Sequence, residues 1–471
     1  MGEKETLESL QWLFDEAGFE LNKKQKLFIL HFINGEGHFL LQGLAGTGKS
    51  TVMKLLNIYY GNKIIFCASS GVANLSLPDN IGSGTGHSIL SLPTTPADEL
   101  TYKKVSPTTQ GLFGSSDLIE IVVIDEVFGY NSDVLDVIHR RLERFNKKTR
   151  KRKKRDIRLL LVGDVCQQVT ITDEEEERVF KERWGHHLMF RSTVWDRFNF
   201  TVAVFDKVER QSDKVYTACL DVIRYNQTQR LSKCLKWLNK RCGARSGNDE
   251  LVLAATNKTV DRLNQEALDK LTTPKTEFEG IIKGKFDMRD VLVKKDITLC
   301  EGALVMTTNN DAERRWVNGS RGVVTSVQPC EGVWVEFDNG EEHFVEYHTW
   351  ENTESYIETD VKQEDGTTKD EMKKRVLGRL TALPLLVAYS ITISKSQGLT
   401  IRDNFSIDME KPWLYTWQKM RSFGSQFLYV ALSRGVEIEK VNLLTKVEPA
   451  HVKTCDESIK FWFECLEKSI I

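Results

Sequence analysis

The sequence is short of paired cysteines, of long apolar runs and of net charge. Its nine cysteines are scattered singly with no C-x-x-C pair, so neither zinc ligation nor a disulfide framework is indicated, and the usage fits a reducing compartment. No apolar run approaches the roughly 18 residues of a membrane-spanning helix. The first residues are too charged for a signal peptide. A formal net charge of -2 offers no global attraction to a polyanion, so contact with one must come from local patches. No internal repeat and no low-complexity linker divides the 471 residues. What is present is 40% hydrophobic and 28% charged, an ordinary globular composition on a chain long enough for about three domains.

Against this plain background one stretch stands out, Gly43-Leu44-Ala45-Gly46-Thr47-Gly48-Lys49-Ser50-Thr51. It follows the apolar run His38–Gln42, which reads as a short buried strand, and leads into Val52–Leu56, which has helical spacing. Strand, glycine loop and helix together make G-x-x-x-x-G-K-[ST] a phosphate site. The glycines let successive backbone N–H groups converge on phosphate oxygens, and the helix N-terminus adds partial positive charge. Lys49 would reach the β- and γ-phosphates of a nucleoside triphosphate, and the Ser50 hydroxyl would ligate Mg²⁺.

Further along, Leu118–Ile124 is a near-continuous apolar strand ending at Asp125-Glu126. Carboxylates at the carboxyl end of a parallel strand face the crevice where the glycine loop lies. Asp125 is placed to hold Mg²⁺ and Glu126 to polarise an attacking water. Thr6 to Phe19 has helical spacing, Asn22 is an N-cap candidate for a second helix, and Lys63–Ala68 and Leu159–Val162 read as further strands. Ser91 to Ser116, with three prolines, reads as a small excursion from the sheet. From Asp290 the texture changes to short β-like runs at Ala303–Thr307, Gly322–Val327, Val333–Phe337 and Glu342–Glu346. The charged stretch Glu351 to Lys374 reads as a solvated extension or hairpin, and the α/β pattern returns at Pro384–Thr392.

These motifs form an ordered set. The chain resembles the superfamily 1 helicases, within them the 5′-to-3′ branch that includes the Pif, RecD and phage Dda enzymes. Gln25 sits at the adenine-reading position, Gly43–Thr51 matches motif I, Ala68–Ala73 motif Ia, and Ile124-Asp125-Glu126 motif II. Gly163-Asp164 with Gln167 matches motif III, Val208–Gln211 motif IV, Ile391–Thr400 motif V and Tyr429–Arg434 motif VI. Trp316–Gly322 is similar to the W-x-N-G-[ST]-x-G segment of the family's inserted SH3-like barrel. Two departures touch the strip expected to contact DNA. Gln168-Val169-Thr170 and the acidic run Asp173–Glu177 stand where the family has a Leu-Pro-Pro type segment, and Ser394 stands where a histidine is common.

The resemblance implies an α/β protein of two RecA-like P-loop domains with parallel sheets. The first would span residues 1–200 with a wedge-like insertion at 91–116, and the second 201–289 and 381–445. An inserted SH3-like β domain would fill 290–380, leaving 446–471 as a tail of unnamed role. ATP with Mg²⁺ would lie between the domains. Gln25, Gly43, Ala45, Gly46, Thr47, Gly48, Lys49, Ser50, Thr51, Gln397 and Gly398 would form the nucleotide site. Ser50 and Asp125 would hold the metal, Lys49, Glu126 and Gln167 would act from the first domain, and Arg210 and Arg434 would enter from the second as arginine fingers.

Ser69, Ser70, His87, Thr256, Asn257, Thr392 and Lys395 lie in segments that resemble the family's single-strand groove. The expected activity is ATP-driven 5′-to-3′ translocation on single-stranded DNA with duplex unwinding, in replication, recombination or repair. The alternatives are a single-strand translocase and an ATP-gated clamp. Expected partners are single-stranded and forked DNA and a single-strand-binding or replication protein. A monomer in the cytoplasm of a bacterial or phage-infected cell is expected, away from membranes. The basic run Lys147–Arg155 reads either as a solvated, self-repelling loop or as a secondary patch that engages incoming duplex or an acidic partner.

Overall fold

The structure, a computed structural model, describes residues 4–69, 77, 84–93, 96–114, 118–150, 156–167, 174–242, 250–286, 288, 291, 293–313, 315–316, 319–362, 368–411 and 426–471. Ser70, Asn318, Lys151–Arg155 and Gln168–Thr170 therefore lie outside the described residues. Helix α1 (Gln11–Asp15) is shorter than the Thr6–Phe19 periodicity suggests. Helix α2 (Lys23–Asn34) starts where expected, because Asn22 and Gln25 cap each other's backbone N–H groups.

The first sheet contains β1 (Phe39–Gly43), β2 (Ile64–Ala68), β3 (Gly84–Thr85), β4 (Ile121–Asp125), β5 (Arg158–Gly163) and β6 (Thr201–Phe205), in the order β3-β2-β4-β5-β1-β6. All its pairings are parallel. Strands β1, β2 and β4 are buried at every position, as a parallel sheet covered on both faces requires. Alternation along the strands feeds two cores. Leu41, Phe66 and Val123 face α1, α2 and α3 (Lys49–Tyr60). Leu40, Ile65, Val122 and Ile124 face the other layer, which carries α4 (Gly86–Leu90), α5 (Glu99–Lys103), α6 (Pro107–Gly114), α7 (Ser132–Arg150) and α8 (Glu174–Trp184). The stretch from Ser91 is thus partly helical. Its prolines fall at or outside helix starts, Pro107 opening α6.

The second sheet follows helices α9 (Lys214–Arg224) and α10 (Thr228–Arg241). Its strand β7 (Leu251–Ala254) leads into α11 (Asn257–Lys270). The chain then leaves to form a β region. This comprises β8 (Thr276–Phe278), β9 (Ile281–Gly284), β10 (Ile297–Leu299), β11 (Leu304–Thr307), β12 (Arg321–Gln328), β13 (Gly332–Phe337), β14 (Glu342–Glu346), β15 (His348–Lys362), β16 (Thr368–Ala382) and β17 (Leu385–Val387). Five of these strands make the antiparallel sheet β14-β13-β12-β11-β17, over a core that includes Trp316 and Phe337. The charged stretch is a long antiparallel hairpin, β15 with β16, and β9 adds a third strand to it. The chain rejoins the second sheet as β18 (Ser390–Thr392), β19 (Phe405–Asp408) and β20 (Val441–Leu443), in the order β18-β7-β19-β20, all parallel. Helix α12 (Phe427–Leu432) packs in this second core, and α13 (Asp456–Lys468) follows.

Three expected boundaries move. Residues 201–205 belong to the first sheet, not the second, because β6 pairs with β1 from Phe39↔Thr201 onwards. The β region begins near Thr276, not at 290, since β8 and β9 pair with β10 and β16, and it extends past 380 because β17 pairs with β11. Residues 446–471 are no loose tail. Phe461, Trp462 and Cys465 of α13 join the core of the first sheet, and the Ile470 N–H bonds the carbonyl of Val202. Among the described residues no helix is long and apolar enough to cross a membrane.

Candidate functional site

The glycine loop runs from the end of β1 into α3. Gly46 and Gly48 have φ of 74° and 85°, a left-handed backbone that only glycine adopts without strain. That conformation turns the loop's amides toward the first turn of α3, where Ser50 is exposed and Thr51 half-buried. Lys49 Nζ donates to the carbonyls of Gly43 and Leu44 at 2.8 and 3.1 Å. Burial pulls its ammonium pKa down, against the opposing pull of Asp164, Glu126 and Asp125. Gln25 is buried against the loop, its Nε2 donating to the Thr47 carbonyl at 3.0 Å. The Thr47 hydroxyl closes the loop on the Leu44 carbonyl at 2.9 Å.

At the carboxyl end of β4, Asp125 Oδ1 accepts the Glu126 N–H at 2.9 Å, and Glu126 takes a left-handed φ of 47°. Burial raises the Asp125 carboxyl despite that bond and Lys49. Burial first, and then the Asp125 charge, lift Glu126 to about 7. A buried and a half-buried carboxylate, Asp125 and Glu126, beside the half-buried Lys49 ammonium suit a divalent cation bound with phosphate oxygens. The Gln167 side chain is buried in the turn after β5, whose N–H bonds the Asp164 carbonyl at 3.0 Å.

The arginines approach from the far side. Arg210 lies in the connection after β6, where the neighbouring Glu209 N–H bonds the Gly46 carbonyl at 2.9 Å. It therefore belongs to the joint and not wholly to the second body. Its Nη1 donates to the Ser433 carbonyl at 2.8 Å. Burial, and then Arg434, lower its pKa to about 9. Arg434, buried at the end of α12, is lowered by burial, with Glu126 opposing the shift. Its Nη1 reaches the carbonyls of Ser396 and Leu399, both at 3.4 Å. That places it on the turn holding Gln397 and Gly398, the latter at φ 82°.

The expected groove positions share one edge. Ala68↔Asp125 and Ala254↔Thr392 are register partners, so Ser69, Thr256, Asn257 and Lys395 follow the carboxyl ends of neighbouring strands. The side chains of Thr256, Thr392 and His87 are engaged. Thr256 caps α11 through the Thr259 N–H at 3.2 Å and donates to Glu410 at 2.8 Å. Thr392 accepts the Lys395 N–H at 3.2 Å. His87 Nδ1 lies 3.0 Å from the Leu92 carbonyl. Lys395 is half-buried, its ammonium lowered by burial and then by Lys294.

Comparison with known proteins fits this arrangement. A family model described as PIF1-like helicase matches residues 20–243. The fold matches that of Bacteroides sp Pif1 in complex with ADP-AlF4, with a TM-score of 0.75 at 24% identity over 96% of this chain and 98% of that one. Over residues 20–243 the chain is similar to the PIF1-like helicases. Among curated relatives, the ATP-dependent DNA helicase RRM3 of Saccharomyces cerevisiae is 24% identical over 95% of this chain and 68% of its own length. The ATP-dependent DNA helicase Pif1 of Campylobacter jejuni is 25% identical over 84% of this chain and 86% of its own.

One cluster escapes sequence reasoning. Arg224, the last residue of α9, meets Asp164 of motif III, with Nη1 2.7 Å from Oδ2 and Nη2 2.7 Å from Oδ1. Both side chains are 0% exposed. The Tyr429 hydroxyl accepts from Arg224 at 3.1 Å and from the Ala45 N–H at 3.4 Å. The Trp462 ring lies 4.4 Å from the guanidinium. Burial alone would raise the Asp164 carboxyl, but Arg224 outweighs it and the pKa is lowered. The available signal was the amphipathic spacing of Phe461, Trp462 and Cys465 in a segment that matches no motif.

Proposed function

We propose that this chain is an ATP-driven DNA helicase that moves 5′-to-3′ on single-stranded DNA and separates duplex. The observation that carries the reading is the convergence of Lys49, Asp125 and Glu126 with Arg210 and Arg434 around one glycine loop. The printed names of the relatives, ATP-dependent DNA helicases, support ATP use and DNA as substrate. Neighbours with a similar fold include a Bacteroides Pif1 bound to single-stranded DNA and a pair of Pif1 helicases at forked duplex.

In this reading the loop amides of Gly43 to Gly48 and the Lys49 ammonium hold the phosphates, with Thr51 in the same first turn. Gln25 lies where the base would pack, and Gln397 and Gly398 close the site from the second sheet. Ser50 and Asp125 would hold Mg²⁺, which would supply neutralising charge to the phosphates. Glu126, poised near neutrality, takes the proton of the attacking water. Gln167 orients the water or the γ-phosphate. Arg210 and Arg434 stabilise charge on the transferring phosphoryl group. Because Arg434 sits in the second body and Arg210 in the joint, bonded to Ser433 of that body, hydrolysis requires the cleft to close, and that requirement couples chemistry to stepping.

Ser69, His87, Thr256, Asn257, Thr392 and Lys395 would border the strand groove, giving sequence-independent backbone contacts. We assign residues 91–116 as the separating wedge, the five-stranded β region as an SH3-like insertion, and the active form as a monomer able to work beside a single-strand-binding protein. Strand displacement on matched duplexes with a 5′ or a 3′ single-stranded tail tests the reading. Unwinding of the 5′-tailed duplex alone is expected. ATPase stimulated by single strands without any displacement would make it a translocase instead.

A further inference from the structure

The contacts that join the two sheets are of two kinds. Arg210, in the joint after β6, holds the Ser433 carbonyl of the second body at 2.8 Å, a bond that a phosphate oxygen can replace, while Arg434 rests on the Ser396 and Leu399 carbonyls of its own body at 3.4 Å. Arg224 and Asp164 form a paired-oxygen ion pair with 0% exposure on either side. Parting them would leave two uncompensated charges in the interior, which is strongly unfavourable. Around them meet the glycine loop through Ala45, motif III through Asp164, α9 through Arg224, α12 through Tyr429 and α13 through Trp462.

Helix α13 is anchored to the first body independently. Arg191 bonds Glu457 at 2.8 Å and Glu464 at 2.9 Å, and Phe190 stacks on Phe461 at 4.4 Å. Trp462 is thus a fixed ceiling over a guanidinium that comes from the second body. The Asp164 Oδ1 also accepts the Cys166 N–H at 3.0 Å, so the pair shapes the turn that carries Gln167.

We propose that the Asp164–Arg224 pair, roofed by Trp462, is the fixed pivot about which the two sheets turn when the nucleotide cleft closes, and that Arg224 and Trp462 are positioning residues for hydrolysis. The pair stays made throughout the cycle while the Arg210 and Arg434 contacts exchange. It places the motif III turn and the arginine-bearing α12 at the correct angle at closure. The proposal rests on the helicase reading above.

The test uses the full chain with Arg224→Lys, Trp462→Ala and Trp462→Phe. Active fraction is fixed by stoichiometric titration with a fluorescent ATP analogue. Steady-state hydrolysis is then measured against ATP concentration, with and without saturating oligo(dT). Arg224→Lys and Trp462→Ala should lower kcat with oligo(dT) by about ten- to a hundredfold, while the KM for ATP stays within about twofold. Trp462→Phe, which keeps an aromatic ceiling, should recover most of the loss. Rates per active site equal to the parent would overturn the pivot, leaving the cluster as scaffold. A raised rate without DNA would also overturn it, because a contact that restrains closure is a latch. A parent chain whose hydrolysis ignores oligo(dT) would overturn the helicase reading instead, before any variant is compared.

Discussion

The proposed nucleotide cleft and the proposed strand groove lie at the carboxyl edges of the two sheets, yet their polar groups stand in opposite conditions. In the cleft Lys49, Asp125, Glu126, Arg210 and Arg434 are displaced from their ordinary ionisation mainly by burial. In the groove the Thr256 hydroxyl already caps α11, and the Thr392 hydroxyl already accepts the Lys395 N–H. Perturbed, under-compensated charge marks a place built for chemistry. Satisfied hydroxyls mark a place where backbone shape, more than any one side chain, receives a ligand.

The largest expected break in this contrast is at the arginines. Arg434→Ala should reduce DNA-stimulated hydrolysis by about 10³-fold or more, and Arg210→Ala similarly, with little change in nucleotide affinity. Equal losses of affinity and rate would make them ground-state ligands. Glu126→Gln should keep nucleotide binding and lower turnover by about 10²- to 10⁴-fold, checked by single-turnover hydrolysis with DNA present.

The same residue predicts a pH dependence. With its carboxyl at about 7, the base is lost as pH falls, so kcat/KM should drop about tenfold per unit below that value. Stability runs the other way. Between its ordinary 4.5 and about 7 the folded chain holds a proton that the unfolded chain releases, so the free protein gains stability as pH falls through that window. Glu126→Gln should flatten both trends, read by initial rates and by denaturant unfolding across pH 5 to 8.

The smallest effects belong to the groove. Lys395→Ala should reduce the salt slope of single-strand binding by about 0.7, one phosphate contact. Thr256→Val should cost about 1 kcal/mol of stability through its lost cap and shift strand affinity much less. A large affinity loss for Thr256→Val at unchanged stability would erase the contrast between the two regions.

What was readable in the sequence follows the same division. Phosphate chemistry allows few substitutes for Gly46, Gly48, Lys49, Asp125 or Glu126, so the residues announce the site. The strands β8 and β9 went unread because they are short, and every position of β9 is exposed, leaving no alternation to find. Boundaries at β6 and β17 depend on which neighbour a strand pairs with, and a short run such as Thr201–Phe205 carries no address. Asp164 and Arg224 are 60 positions apart and each is ordinary by itself. Only the folded chain makes them a buried pair.

The docking of α13 has a consequence for how the molecule is made. The core beneath β6 contains Val204, Phe190 and Phe198 together with Phe461, Trp462 and Cys465, so the first body borrows residues synthesised long after its own strands. At ordinary ribosomal speed the intervening stretch takes roughly ten to fifty seconds to emerge. Throughout that interval the apolar surface that receives α13 is open to water, to chaperones and to other nascent chains. Phe205 therefore closes the first sheet in sequence without closing it in time, and yield at high expression temperature should be limited by this wait.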